Sequence, residues 1–312
     1  MRMRRLLPRL WVAGLAACTL AVASAGCGGD DDADSSPRSL LSTAASKKID
    51  SAEVRLSTEA NVPGFPILGS RIAISGSGPF VANGPEALPE FDWNVVMRAG
   101  GQTFPARVNG IGGKVYVEFM GQFYEADESQ LEQLGLGTGR KQATSLKQLG
   151  LEPDKWLTKV EVGDGEEIGE DSTRLVTGTV VKRAVVDNLL EIADGLQLAE
   201  AGEDVEGLPE LNDENAAKVA DAVDSAKVEV NVDDEGYPRR VYAKLRFTVP
   251  EDVEDTAIEN GTITFELVLE QIGGVTVNVE PPFDPDPLSS LLDFAGVIFG
   301  VDEPSDLWKQ PN

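Results

Sequence analysis

The sequence contains no histidine and only two cysteines, and aromatic residues make up just 6% of it. Without imidazole there is no Ser-His-Asp or Cys-His catalysis, and most zinc sites go with it. Enzymatic chemistry would have to rest on carboxylates, lysine or serine alone. Basic residues are scarce too: 27 Lys and Arg face 53 Asp and Glu, for a net charge of −26. Such a chain repels DNA, RNA and anionic membrane surfaces, so no nucleic-acid partner is expected. What is present is a hydrophobic fraction of 41% over 312 residues, enough for a proper core. The acidic excess therefore does not by itself imply disorder.

Both cysteines lie near the N-terminus. Arg2, Arg4, Arg5 and Arg9 precede an apolar run from Leu10 to Ala25. That run is short for a mature membrane span but suits a secretory leader. It ends in Ala25-Gly26-Cys27, which resembles a bacterial lipobox, where the thiol is diacylated and becomes residue one. Leu15-Ala16-Ala17-Cys18 matches the lipobox more literally, with Leu15 three residues before the thiol. Cleavage at Cys18 would leave the apolar TLAVASAG behind, whereas Cys27 is followed at once by the polar GGDDDADSS. The expected lipid anchor is thus Cys27, with Cys18 the alternative and an ordinary signal peptide the third reading.

On this reading residues 1–26 are a signal peptide and 27–38 an acidic tether. Cleavage removes four arginines and no acid, leaving 23 basic against 53 acidic residues and a net charge of −30. Two acyl chains give stable anchoring where one is marginal. The DDDAD run reads as a solvated linker, since it lacks the ligand spacing of a calcium loop.

Beyond the tether, Ser39 to Lys48 predicts a helix with Leu40, Leu41, Ala44 and Ala45 on one side. Period-two alternation then predicts strands from Val54, from Arg71 to Ser77 and over Phe91, Trp93, Val95 and Met97. Gly100-Gly101 reads as a turn into Phe104, Ala106 and Val108, and two short strands flank Gly121. The middle predicts short helices at Asp127 to Leu134 and Ser145 to Leu149, then strands at Lys159 to Val162 and Thr173 to Val181. Those two strands flank GDGEEIGED, which reads as a solvated acidic turn. Lys182 to Leu198 is the strongest helix, with Val185, Val186, Leu189, Leu190, Ala193 and Leu196 in one stripe. A second helix is predicted at Asp213 to Val223. Long strands follow over Val228 to Val232, Val241 to Val249, Ile263 to Leu269 and Val275 to Val279, the first two joined by the turn Asp233 to Gly236. PPFDPDP reads as the stop of the sheet, and residues 283–312 as a tail with an apolar segment from Leu288 to Phe299. The predicted class is α+β: one long antiparallel sheet with helices grouped on one face, in a single domain over 39–282.

Chemical motifs are few. GLGTGRK lacks the Lys and Ser/Thr of a phosphate loop, having Arg140 and Gln142 in their places, and reads as a helix-to-helix loop. Glu166-Glu167 reads as part of a solvated turn rather than as a carboxylate pair. There is no Ser-x-x-Lys and no G-x-S-x-G elbow. The remaining candidate is the apolar face of the sheet, which helices can only partly cover: it is either a filled core or a lipid-sized cavity.

The chain resembles the LppX/LprG-type lipoproteins of actinobacteria, related in fold to the LolA/LolB lipoprotein carriers. The likeness is carried by the lipobox and its tether, and by SKKIDSAEVRLSTEANVPGF, a helix running into a strand. It continues in STRLVTGTVV with the helix after it, and in AKVEVNVDDEGYPRRVYAKLRF with ITFELVLEQIGGVTVNVEPP. The acidic stretch Leu198 to Asn212 and the tail after Pro287 depart from it. The resemblance implies a U-shaped half-barrel, a single curved sheet with helices on its concave face and a hydrophobic cavity for acyl chains. It implies a membrane-anchored extracytoplasmic lipid or glycolipid carrier, a monomer with no cofactor and no catalytic or metal site, and an envelope transporter as a further partner. The implied lining is Phe91, Trp93, Val95, Val230, Leu245, Phe247, Phe265 and Leu267, faced by Val186, Leu190 and Leu196 from the helix. The competing expectation is a surface-anchored structural or interaction lipoprotein with a closed core.

Overall fold

The computed structural model describes residues 36–63, 71–84, 87–133, 144–195, 220–249 and 259–291. The alternating stretches form β1 (Ser51–Asn61), β2 (Arg71–Val81), β3 (Glu90–Ala99), β4 (Gln102–Ile111), β5 (Lys114–Phe119) and β6 (Gln122–Glu125). They continue as β7 (Leu157–Asp164), β8 (Thr173–Val180), β9 (Val223–Asp233), β10 (Pro238–Thr248), β11 (Asn260–Glu270) and β12 (Asp286–Pro287). The described helices are α1 (Pro37–Ser46), α2 (Glu128–Gln133), α3 (Pro153–Trp156) and α4 (Lys182–Gly195).

All these strands belong to one sheet, in the order β12-β6-β5-β4-β3-β2-β1-β11-β10-β9-β8-β7. Two runs of strands in chain order, β1 to β6 and β7 to β11 (with α4 between β8 and β9), are joined by the antiparallel pairing of β1 with β11. Only β12, beside β6, is parallel to its neighbour. The edge strands β7 and β12 do not pair with each other, so the sheet is open rather than a closed barrel. Antiparallel pairing also sorts the turns. Those at Gly100-Gly101 and Met120-Gly121 lie at one end of the sheet, and those at Gly112-Gly113 and Asp233 to Gly236 at the other. Gly100 and Gly101 take φ of 58° and 78°, a left-handed pair that closes a tight hairpin where most side chains would be strained.

Helices pack alongside this sheet. Ser36 caps α1 by accepting from the Ser39 N–H at 3.2 Å, and Pro37 opens the helix where no N–H is needed. Leu41, Ala44 and Ala45 are its buried side, and α1 rests on α3, β7 and β9. Trp156 of α3 donates its indole N–H to Asn188 Oδ1 of α4 at 2.9 Å. Val185 and Val186 of α4 then join Leu41, Trp156, Val230, Val241 and Trp93 in one apolar cluster. The short α2 carries a reciprocal cap, with Asp127 N–H on Gln130 Oε1 and Gln130 N–H on Asp127 Oδ1, each at 2.9 Å.

Five expectations are corrected. Ser145 to Leu149 is not a helix but a single turn, Leu149 N–H to Ser145 O at 3.0 Å, within a string of turns. So short a segment cannot nucleate alone, and its neighbours are drawn to α1, with Lys147 N–H on Ala45 O at 2.8 Å. Val223 does not end a helix; it opens β9 opposite Phe247, where cross-strand pairing prevails over local propensity. Val275, Val277 and Val279 keep an alternating, half-buried pattern but pair with no strand among the described residues. Both edges of β11 are already taken by β1 and β10, so a chain leaving β11 finds no free hydrogen-bonding edge beside it. PPFDPDP does not end the sheet: β12 lies beside β6, Gln122 Nε2 donates to Asp286 Oδ2 at 2.7 Å, and Leu288 and Leu291 are buried. GDGEEIGED is not simply solvated. Ile168 is buried, Glu166 reaches Arg240 at 3.1 Å, and Asp171 reaches Arg239 at 3.0 Å. Cys18, Cys27, GLGTGRK, the acidic stretch 198–212, most of the helix predicted at Asp213 to Val223 and residues 292–312 lie outside the described residues.

Candidate functional site

Registers place the apolar positions on one face. Across β3 and β4, Phe91 faces Gly110, Trp93 faces Val108 and Val95 faces Ala106. Across β1, Leu56 faces Gly76 on one side and Leu267 on the other. Val241 of β10 lies between Leu267 and Val230. Between Gln102 at one end and the Pro238–Arg239 bulge at the other, six adjacent strands (β4, β3, β2, β1, β11, β10) carry on this face only Ala, Val, Leu, Ile, Met, Phe, Trp, Gly and Thr. No charged side chain stands among them.

Burial along this face is graded. Toward the Asp233 end, Ala52, Val54, Val241 and Leu269 are buried. Toward the Met120 end, Leu56, Ile74, Phe104, Ile263, Phe265 and Phe247 are only half-buried. Met97, Ala99 and Leu245 are nonetheless buried at the Met120 end and Phe80 is half-buried at the other, so the half-buried positions are a patch centred on β1, β2 and β11.

Phe91, Trp93, Val95, Val186, Val230, Leu245 and Leu267 all fall in the buried cluster. Phe265 packs against it half-buried. Phe247 is half-buried across Gly261, where a Cβ would overlap its ring. Leu190 lies on α4, and Leu196 lies outside the described residues. Absent from the sequence-based lining are the half-buried Leu56, Ile74, Phe104 and Ile263, although their alternation was legible. Also absent are Gly76 and Gly78, which the alternation Ser75-Gly76-Ser77-Gly78 puts on the same face. At Gly78, φ is +151°, and a Cβ would overlap the Asp92 carbonyl and lie 3.0 Å from the Trp93 indole Cδ1. Glycine here lets a backbone and an aromatic ring approach closely.

The opposite face is polar and held by cross-strand ion pairs. Arg55 grips Glu270 through two hydrogen bonds of 2.9 and 2.8 Å. Asp92 receives Arg107 and Asn109 at 2.6 Å, and Arg240 meets Glu266 at 2.6 Å. The hydrogen bond from Arg107 to Asp92 raises the guanidinium pKa further. Burial, and next the charge of Glu270 directly across the β1–β11 pair, push the Glu53 carboxyl above its ordinary range despite the opposing effect of Arg55. Burial likewise raises the Tyr116 and Tyr124 hydroxyls, with Glu125 and Asp286 adding to the respective shifts.

Among the described residues no group of three or more Cys, Asp or Glu is arranged to hold a metal ion. No described helix is long and apolar enough to cross a membrane. The arrangement can hold apolar groups.

No family model and no curated protein matches the chain. Among solved structures, LprF from Mycobacterium bovis aligns over 80% of this chain and 97% of its own, at 11% identity and a TM-score of 0.36. A LolA superfamily protein, NE2245 from Nitrosomonas europaea, aligns over 76% of this chain and 94% of its own, at 10% identity and a TM-score of 0.18.

Proposed function

We propose that the chain is an extracytoplasmic lipoprotein, anchored through an acylated Cys27, that holds lipid or glycolipid acyl chains against the inner face of its sheet and carries them across the cell envelope. The observation that carries this reading is the apolar face spanning six adjacent strands, on which Leu56, Ile74, Phe104, Ile263, Phe265 and Phe247 are only half-buried. Each methylene removed from water contributes about 0.8 kcal/mol, so a long chain is retained without polar recognition. Function on this reading is shielding and transfer, with no bond made or broken. The polar, ion-paired face remains in water while the apolar face takes the ligand.

The placement of α1 suits an anchored domain. Arg38, at its first turn, reaches the Asp154 carbonyl at 3.4 Å, while Lys47, at its far end, reaches the Glu235 carbonyl at 2.9 Å. Asp154 lies in α3, which leads into β7 at the Met120 end, and Glu235 belongs to the turn at the other. α1 therefore begins at the Met120 end, and on this reading a tether before it would hold that end toward the bilayer.

The test is native mass spectrometry with lipid extraction on the chain from residue 28 onward. Stoichiometric co-purified lipid, or uptake of added phospholipid, is the expected result. A chain that repeatedly carries none and takes up none is a closed-core structural lipoprotein instead.

A further inference from the structure

We infer that the Met120 end of the sheet docks on a lipid bilayer, with the side chains of Met120 and Phe283 inserted among the headgroups; the inference rests on the anchored-carrier reading above. Among the described residues only three large apolar side chains are exposed, and these are the two most exposed, Met120 at 81% and Phe283 at 99%. They come from distant parts of the chain and converge on one corner. Met120 is in the β5–β6 turn, and β12 lies parallel to β6 with Asp286 opposite Tyr124. Phe283 precedes Asp286 by three residues, so it lies on the side of β12 toward that turn, within about 10 Å along the chain. Gln122 Nε2, donating to Asp286 Oδ2 at 2.7 Å, fastens the two segments together.

Neither side chain serves the core. Met120 and Gly121 take φ of 53° and 80°, a left-handed pair for which Asn-Gly or Gly-Gly is the usual choice. Methionine there bears backbone strain and gains no burial. Phe283 stands between Pro282 and the left-handed Asp284 (φ 52°), with Pro285 next and Leu288 buried beyond, so a stiff loop holds the ring out in water. Single exposed apolar residues are ordinary, but two in one corner, one of them strained, mark a contact with something apolar.

The chain itself points to the partner. α1 begins at this same end, and Pro37 follows Cys27 by ten residues. Fully extended, that stretch spans at most about 35 Å, so a Cys27 held in the bilayer keeps the Met120 end within that distance of it. A second copy of the chain fits less well. Two side chains bury on the order of 400 Å², against roughly 800 Å² per partner in a stable interface, and the residues around them, Gln122, Asp284 and Asp286, are polar. The two carboxylates keep the insertion shallow and favour zwitterionic over anionic headgroups.

The test reconstitutes the full chain, acylated, in phosphatidylcholine vesicles and places a tryptophan at either end of the sheet. Phe283→Trp reports the docking corner, and Asp234→Trp, at an exposed position in the β9–β10 turn, controls for the affinity of an indole for the interface. The emission each variant adds to that of the unmodified protein is followed as brominated phosphatidylcholine replaces the ordinary lipid. Phe283→Trp is expected to lose most of its added emission and to shift to the blue, and Asp234→Trp to do neither. Quenching at neither site, or equally at both, on vesicles that retain the acylated protein overturns the inference and leaves the anchor standing. A protein that carries no acyl group by mass and does not float with the vesicles overturns both. Met120→Asn, which suits the left-handed turn, should weaken the quenching of Phe283→Trp; unchanged quenching overturns the part assigned to Met120. All three replaced side chains are exposed, so folding is retained.

Discussion

Arg239 Nε and Asp233 Oδ2 meet at 2.5 Å across the β9–β10 turn, with both side chains almost sealed from solvent. Asp171 reaches the same guanidinium from the β7–β8 connection at 3.0 Å, and Asp233 Oδ1 accepts the Tyr237 N–H at 2.8 Å. One carboxylate thus closes the turn and pins a neighbouring connection. Removing one partner of a buried pair strands the other charge, so Asp233→Asn is expected to cost about 3 kcal/mol in urea unfolding. Asp233→Asn combined with Arg239→Met should recover part of that loss, because the stranded cation is gone.

Glu53 and Glu270 are direct cross-strand partners, and burial together with that like charge raises the Glu53 pKa. A carboxyl raised in the folded state binds protons more tightly there than when unfolded. Its contribution is fully present below the ordinary carboxylate range and is lost as pH rises through the raised folded value. Glu53→Gln should therefore stabilise the protein at neutral pH by about 0.5 kcal/mol, a figure kept small because the group is partly exposed. The gain should vanish by about pH 3, where both states are protonated. Paired urea titrations at the two pH values measure the difference.

Gly78 has no room for a side chain, since a Cβ there would overlap the Asp92 carbonyl at a φ of +151°. Gly78→Ala is expected to lower stability by about 2–3 kcal/mol through backbone strain and displacement of β3. Thermal unfolding and the near-ultraviolet signal of the adjacent Trp93 should report it together.

Two apolar residues in polar connections should behave oppositely. Ile168 is buried in the β7–β8 connection, whereas Phe283 in PPFDPDP is 99% exposed. Ile168→Ser is expected to cost about 2 kcal/mol and Phe283→Ser less than about 0.5 kcal/mol in the same urea assay.

Phe265 is half-buried on the apolar face, while Val241 on the same face is fully buried. Phe265→Glu should leave a folded protein whose lipid occupancy, read by native mass spectrometry, falls at least about tenfold, because it charges a face built for hydrocarbon. Val241→Glu should instead fail to fold, for the same desolvation cost with no route to water.

Much of the sheet was legible because its signal is local. Phe91, Trp93, Val95 and Met97 alternate with polar residues, and period two alone assigns them to one face. The helices α1 and α4 declared themselves in the same way through three-and-four spacing. The errors fall where a distant partner decides. Val275 to Val279 has the pattern of a strand but no edge to join, and Val223 is drawn into β9 by Phe247. Ile168 is buried only because the connection folds back toward Arg239 and Arg240.

The sequence by itself determined which positions are apolar, their period, the acidic charge and the lack of imidazole, because these depend on composition and near neighbours. It also determined that any lining would be made of hydrocarbon. Only the tertiary structure decided the order of the strands, with β1 joining β11 to unite two runs of strands into one open sheet. The same pairing placed Gly76 and Gly78 beside Trp93, left the indole N–H without an acceptor and left part of the apolar face half-buried. Those outcomes rest on contacts between residues far apart in the chain, and no local periodicity encodes which of them will meet.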